Sequence, residues 1–466
     1  MIDDKFLPPK GVDMLCENAA NVTFEKLSEH NIKVVKDKVL DITGCILGGS
    51  IVKEDGFLTQ YFKRLGGKEE AEVFTKGFKI PLMNAVQLNS LYARANDFGA
   101  MFFKVRDERI ASHNSESLIP MGLTYATTRK VSGKEFLTND VAAEDITARI
   151  LYSLPVRWPT DMLLVSTSCA ALACRYNNMN GSEIKTALSY AQANCTNPGN
   201  SYYDYSEEFK YHNAESARMG VMAAELTKGG WRGYKDPYFG HWGLVAMQIK
   251  DGSALPALYD GVFEDLGNEF YIEESFKRYP GGIPTTAAAN AGKDVRNQII
   301  NTDGKLDSAK IKKVHVLRSS KVRYNYYSEP FILRNHNNAL FCFQFSACCA
   351  LLYGSVGVAN VQTEAINADK ELIRLAEEST FDVFEADVPL LRVEVEMFDG
   401  RIFSSEMDYS KSMHEYPSHE FLVEKFKAQA EASGIMNSAK IEKIIELAGK
   451  LEEIEDLREY TELISL

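Results

Sequence analysis

Asp97 in Arg94-Ala-Asn-Asp-Phe98, His113 in Ala111-Ser-His-Asn-Ser115, Lys210 and His212 in Phe209-Lys-Tyr-His212, and Lys277-Arg278 in Phe276-Lys-Arg-Tyr-Pro280 are polar residues set in apolar or glycine-rich surroundings. An imidazole takes and returns a proton near neutral pH, and ammonium and guanidinium groups attract anions. Taken singly, each also has an ordinary reading: a loop histidine as a cap or surface group, a lysine as a solvated charge. Other chemistries lack their motifs. The chain has no GxxxxGK[ST] phosphate loop, no GxGxxG, no HExxH, no GxSxG and no EF-hand loop. No pair of its eight histidines has helical metal-ligand spacing; His414 and His419 lie five apart in a polar stretch, and no metal site is expected.

The elements that must hold these groups read as two textures. Through the first half, apolar residues recur every three or four positions. The spacing predicts helices over Leu27–Leu47, stopped at Gly48-Gly49, and over Ile80–Tyr92, Leu118–Thr127, Lys134–Leu154, Leu163–Tyr176, Ser182–Gln192 and Ala214–Lys228. After about Phe270 strands appear. Lys313–Leu317 alternates, and Leu391–Phe398, Asp399-Gly400 and Arg401–Ser405 read as a hairpin, with helices at Ala287–Ile300, Leu340–Tyr353 and Lys370–Glu378. From Ser418 the helical period returns, with Ile441, Ile444, Leu447, Leu451 and Ile454 on one stripe. The expected architecture is mainly α: a large all-α helical part, residues 1–268 and 409–466, interrupted by a smaller α+β part, residues 269–408.

Composition sets the class of partner. At 466 residues the chain exceeds one ordinary core, and its 45% apolar and 25% charged residues are those of a globular protein. A net charge of −13 argues against a phosphate-backbone binder, so no nucleic-acid partner is expected. The eight cysteines form no CxxC pair and no regular framework, which points to buried thiols in a reducing cytoplasm, and the N-terminus lacks a signal-peptide pattern. His336–Thr363 carries no charged residue, yet its Asn337, Asn338, Gln344, Gly354 and Gly357 favour a buried helix and a glycine turn over a membrane span.

Several segments, in order, resemble the MmgE/PrpD family of 2-methylcitrate dehydratases, cis-aconitate decarboxylases and an iminodisuccinate epimerase. Lys36-Asp-Lys-Val-Leu-Asp-Ile-Thr-Gly-Cys-Ile-Leu-Gly-Gly49 is similar to the family's "LDTLGC.LAG" opening. Asn89–Phe98 resembles "NG....HALDFDDT", His113–Pro120 "HPS....LP", and Ser132–Leu137 "SGRDLL". Lys210-Tyr-His212 with Gly220 and Ala223-Ala224, then Phe276–Pro280, then Phe343–Ser346 with Gly354, are similar to the later blocks in their family order.

The resemblance implies a helical domain with an inserted α+β lid, a homodimer, no metal or organic cofactor, and a small di- or tricarboxylate bound between helical domain and lid. It implies His113 as acid/base, Lys210 as a catalytic cation, Asp97 as an orienting acid, and His212, Lys277 and Arg278 as substrate-binding groups. The reaction implied is dehydration, decarboxylation or epimerisation by proton transfer beside a carboxylate.

The chain also departs from the pattern. Asp97-Phe-Gly-Ala-Met101 replaces "DFDDT", Trp158 stands where relatives carry a histidine, Gly281-Gly282 replaces another histidine, and Phe345 a tyrosine. Trp158 and Phe345 either line the substrate site or fill core space. A site stripped of polar partners discriminates less well, which leaves two readings: an altered substrate, or a silent relative kept as a carboxylate-binding or assembly protein.

Overall fold

The computed structural model describes residues 2–8, 10–157, 164–193, 204–322, 335–411 and 416–466. In chain order the principal elements are α1 Val12–Asn21, α2 Glu29–Gly49, α3 Gly56–Leu65, β1 Ala71–Val73, β2 Phe78–Ile80, α4 Leu82–Arg94, β3 Ala100–Val105, β4 Glu108–Ile110, α5 Ser115–Thr128, α6 Gly133–Ser153, α7 Val165–Tyr176, α8 Gly181–Ala193 and α9 Glu208–Lys228. They continue with β5 Glu273–Phe276, α10 Ile283–Asp303, β6 Ile311–Ser319, α11 Phe343–Tyr353, α12 Lys370–Glu377, β7 Thr380–Phe384, β8 Leu390–Met397, β9 Ile402–Asp408, α13 His419–Ala432, α14 Ser438–Gly449 and α15 Arg458–Ile464. The protein is mainly α with a smaller α+β region.

Helix α2 shows how local sequence becomes packing. Ser28 caps it by accepting from the Asn31 N–H at 3.1 Å, and Val34, Val35, Val39, Ile42 and Ile46 are all buried. The helix does not stop before Gly48-Gly49 as the spacing predicts; both glycines are its last residues. A Cβ at Gly49 would sit 1.9 Å from the Tyr92 carbonyl oxygen, so the glycine serves the close crossing of α2 and α4.

Two apolar cores result. One is built from α1 to α9 and is completed by Phe426, Ile441, Ile444, Leu457 and Ile464 from the far end of the chain. The other gathers α10, α11 and α12 on a four-stranded sheet in the order β7-β6-β8-β9. There β6 and β7 run parallel, and β8 and β9 form the hairpin around Asp399-Gly400, with Glu396 opposite Ile402.

Three local differences from the sequence reading have physical causes. The β1–β2 hairpin and strands β3 and β4 lie in the part read as helical, with β5 joining β3 from the start of the α+β part, and β1, β2 and β4 are only three residues long, too short to show a period of two. The helix predicted over Leu340–Tyr353 is split: His336–Leu340 ends, and Cys342 starts α11 by accepting from the Phe345 N–H at 3.3 Å. Helix α9 begins at Glu208 and so carries Lys210 and His212 in its first turns. The seven described cysteines are free and buried, and Cys195 falls outside the described residues. No helix among the described residues is long and apolar enough to cross a membrane.

Candidate active site

Strand pairing builds the centre of the site. Helix α4 ends at Arg94, and the chain turns through Asp97, whose φ of +45° lies in the left-handed region, before entering β3. β3 pairs with β5 so that Ala100 faces Phe276, and Lys277 therefore emerges beside the Asp97 turn. Successive residues at a strand end point to opposite sides. Lys277 enters the interior and donates to the Asp97 carbonyl at 3.0 Å and to the Asp97 carboxylate, whereas Arg278 is exposed and lies 4.7 Å above the Phe421 ring. β4 leads into Ser112-His113-Asn114 and the first turn of α5, which presents Glu116.

Asp97, His113 and Lys277 thus meet, together with Arg94 and Glu116. The Arg94 guanidinium bonds the Asp97 carboxylate and lies 3.0 Å from Glu116 Oε2, while His113 Nδ1 lies 3.4 Å from the same Glu116 oxygen. The Gly99 N–H donates to Glu116 Oε1 at 2.9 Å. All five side chains are buried. Burial, and after it Arg94, holds the His113 imidazole down at about 4, so it is uncharged near neutral pH and able to accept a proton. Burial is the largest influence and works to raise the Asp97 and Glu116 carboxyls, but Arg94 together with Lys277 and His113 outweighs it, and both stay below their ordinary range. Burial draws Lys277 down, with Asp97 opposing. Asp97, His113 and Glu116 also place one donor atom each within 4.8 Å of the others. Their carboxylate oxygens already face Arg94 and Lys277, and a divalent ion would enter among two cations, so the set suits proton transfer and does not fit a metal.

Lys210 takes a different place. Its ammonium is 2.7 Å from Asp55 Oδ1 in a buried pair, and burial pushes the Asp55 carboxyl up to about 6. The preceding residue, Phe209, lies 5.3 Å from the Arg94 guanidinium, so α9 runs along the back of the cluster. Burial, and after it Lys210, holds the His336 imidazole down at about 4; its Nε2 is 2.9 Å from the Ala95 carbonyl oxygen and its Nδ1 is 2.8 Å from that of Val361. His212 is half-buried, held at about 4 by burial and then by Arg94. Phe345 is fully buried in the second apolar core, and Trp158 lies outside the described residues. A small cavity of about 20 Å³ borders Lys277 and Arg278, with Met101 and Thr286 in its walls.

Arg94 and Glu116 were not singled out by the sequence reading. The available signal was spacing: Arg94 and Asp97, like His113 and Glu116, stand three residues apart.

Comparison with known proteins agrees along the chain. The family model of the MmgE/PrpD N-terminal domain matches residues 13–254, and that of the MmgE/PrpD C-terminal domain matches residues 279–451. Cis-aconitate decarboxylase of Homo sapiens is 24% identical over 458 residues, spanning 94% of this chain and 91% of the relative. Cis-aconitate decarboxylase of Mus musculus is 24% identical over 463 residues, spanning 94% and 90%.

Proposed function

Since the chain belongs to the MmgE/PrpD family, we propose that it is a lyase or isomerase that moves a proton beside a carboxylate of a small di- or tricarboxylate, without metal or organic cofactor. The observation that carries this reading is the buried, uncharged His113 set against Glu116 and beside the Asp97–Lys277 pair. An anionic substrate arriving there raises the basicity of the imidazole, since a negative neighbour favours its charged form. His113 then takes the proton, and Glu116 steadies the imidazolium. Lys277 and Arg94 oppose the negative charge that develops on the substrate, and Lys210 adds a further cation from α9. Arg278, which borders the same cavity as Lys277, and His212 contact the carboxylates, and the α+β portion closes as a lid that excludes water. The working unit is a cytoplasmic homodimer.

The decarboxylase relatives make loss of carbon dioxide the first reaction to test. The absence here of the polar groups replaced by Met101 and Gly281-Gly282 favours a substrate with fewer hydrogen-bonding groups than a hydroxylated tricarboxylate. The purified protein is incubated in deuterium oxide with cis-aconitate, 2-methylcitrate and a panel of C4–C6 dicarboxylates, following carbon dioxide, loss of water and deuterium uptake. Turnover is expected with one of them and is expected to vanish in His113→Ala and Lys210→Ala; full turnover in both variants sinks the reading.

A second reading, carboxylate binding without turnover, draws on the fact that Arg94 and Lys277 are each already matched by a carboxylate. It is supported if a carboxylate raises the melting temperature while the panel shows no product.

A further inference from the structure

Glu273 on β5 gathers the chain on both sides of His113. Its Oε1 accepts from the Asn114 N–H at 2.7 Å and from the Ser112 hydroxyl; its Oε2 accepts from the Ser115 N–H at 2.8 Å and from the Ser115 hydroxyl. The Asn114 and Ser115 N–H groups stand at the start of α5, where a helix leaves its amides without internal partners, so a carboxylate on them also suits the helix dipole. From the other side, Asn213 Nδ2 on α9 donates to the His113 carbonyl at 2.8 Å. The carboxylate is itself anchored: the Glu273 N–H donates to Glu144 Oε2 at 2.8 Å, and Lys38 Nζ lies 2.7 Å from that same oxygen and 3.0 Å from Asp140 Oδ2. Burial pushes the Glu144 carboxyl up to about 8; burial raises Glu273 as well, and there the hydrogen bonds from Ser112, Ser115 and Asn114 oppose it.

We propose that Glu273 is a positioning residue: it fixes the His113 loop to the same strand that presents Lys277. One short stretch of β5 then sets how far His113 stands from the Asp97–Lys277 pair. The catalytic meaning rests on the reading of His113 as the acid/base; the positioning does not.

The test uses the full chain, unliganded and labelled with [13Cε1]histidine. In the unchanged protein the His113 signal is expected to titrate near pH 4. In Glu273→Gln the released imidazole meets water and its midpoint moves toward the ordinary value of about 6.5. The Asn114 and Ser115 amides exchange about tenfold faster or more. Asp145→Asn, which breaks the buried Asp145–Arg149 pair on α6, serves as control and leaves the His113 midpoint in place. A folded Glu273→Gln protein with an unmoved midpoint and unchanged exchange overturns the proposal. If that variant does not fold, Ser112→Ala removes a single donor; a partial upward shift supports the proposal and no shift overturns it. Turnover separates the two levels. If His113→Ala keeps full activity while the Glu273→Gln shift is present, the acid/base reading fails and the positioning stands; if His113→Ala is inactive and Glu273→Gln changes nothing, the positioning fails alone.

Discussion

A single ammonium ties Lys277 to Asp97 twice, through the Asp97 carbonyl at 3.0 Å and through its carboxylate. The two residues are 180 positions apart, and it is the β3–β5 pairing that brings them together.

Lys277→Met keeps the volume of the side chain but leaves the buried Asp97 carboxylate with Arg94 as its remaining ion-pair partner. Removing one member of a buried pair costs about 3 kcal/mol. Urea denaturation of the variant is expected to show a loss of that size together with loss of turnover; a change under about 0.5 kcal/mol would mean that Asp97 does not need the lysine.

Acid should unfold the protein partly through His113. Its folded value of about 4 lies below the ordinary 6.5, so between those values the unfolded chain binds a proton that the native protein does not, and stability falls as the pH drops through this window. His113→Asn is expected to flatten the urea midpoint between pH 6.5 and 4, leaving the later loss from the depressed Asp97 and Glu116. The same imidazole places the acid limb of kcat/KM near pH 4, and bound anionic substrate moves the limb of kcat upward.

Glu144 gives the opposite slope. Its folded value of about 8 lies above the ordinary 4.5, so the native protein holds a proton that the unfolded chain releases, and stability declines as the pH rises from 4.5 to 8. Glu144→Gln removes that decline. Measured by urea denaturation, its stability relative to the unchanged protein should improve steadily from pH 5 to pH 8, and a parallel pair of curves would refute the assignment of the proton.

Gly281 has φ +102°, donates its N–H toward the Asn96 and Asp97 carbonyls at 3.0 and 3.2 Å, and has no room for a Cβ, which would lie 2.2 Å from the Leu340 carbonyl oxygen. Gly281→Ala is expected to cost about 1–3 kcal/mol in thermal or urea unfolding. Because the strain falls on the Asp97 turn, turnover should drop as well; an unchanged melting temperature would contradict the contact.

Much of the fold was legible because it follows periodicity: the β8–β9 hairpin, the long helices and the return of the helical period after Ser418 are all present. Asp97, His113 and Lys277 stood out because each is an ionisable residue in an apolar setting, and the structure gathers them. Arg94, Glu116 and the Lys38–Glu144–Glu273 group did not stand out. A charged residue on a helix or in a four-residue strand reads as solvated, and only tertiary packing makes these fully buried. The β3–β5 pairing was equally hidden, since it joins a six-residue and a four-residue strand that lie far apart in the chain, Ala100 facing Phe276.

Residues 416–466 have one more consequence, for the order of assembly. Lys425 pairs with Asp41 at 2.6 Å, Tyr460 shares a hydroxyl bond with Thr43 at 2.9 Å, and the Thr75 and Leu457 N–H groups bond across to Ile464 and Val131. On the ribosome, helices α1 to α9 emerge early yet wait with part of their apolar surface uncovered. The sheet and helices that follow carry their own core and can fold during that wait. The longest-lived exposed surface of the nascent chain is therefore the one made first, and a chaperone would find its binding face on the oldest part of the protein.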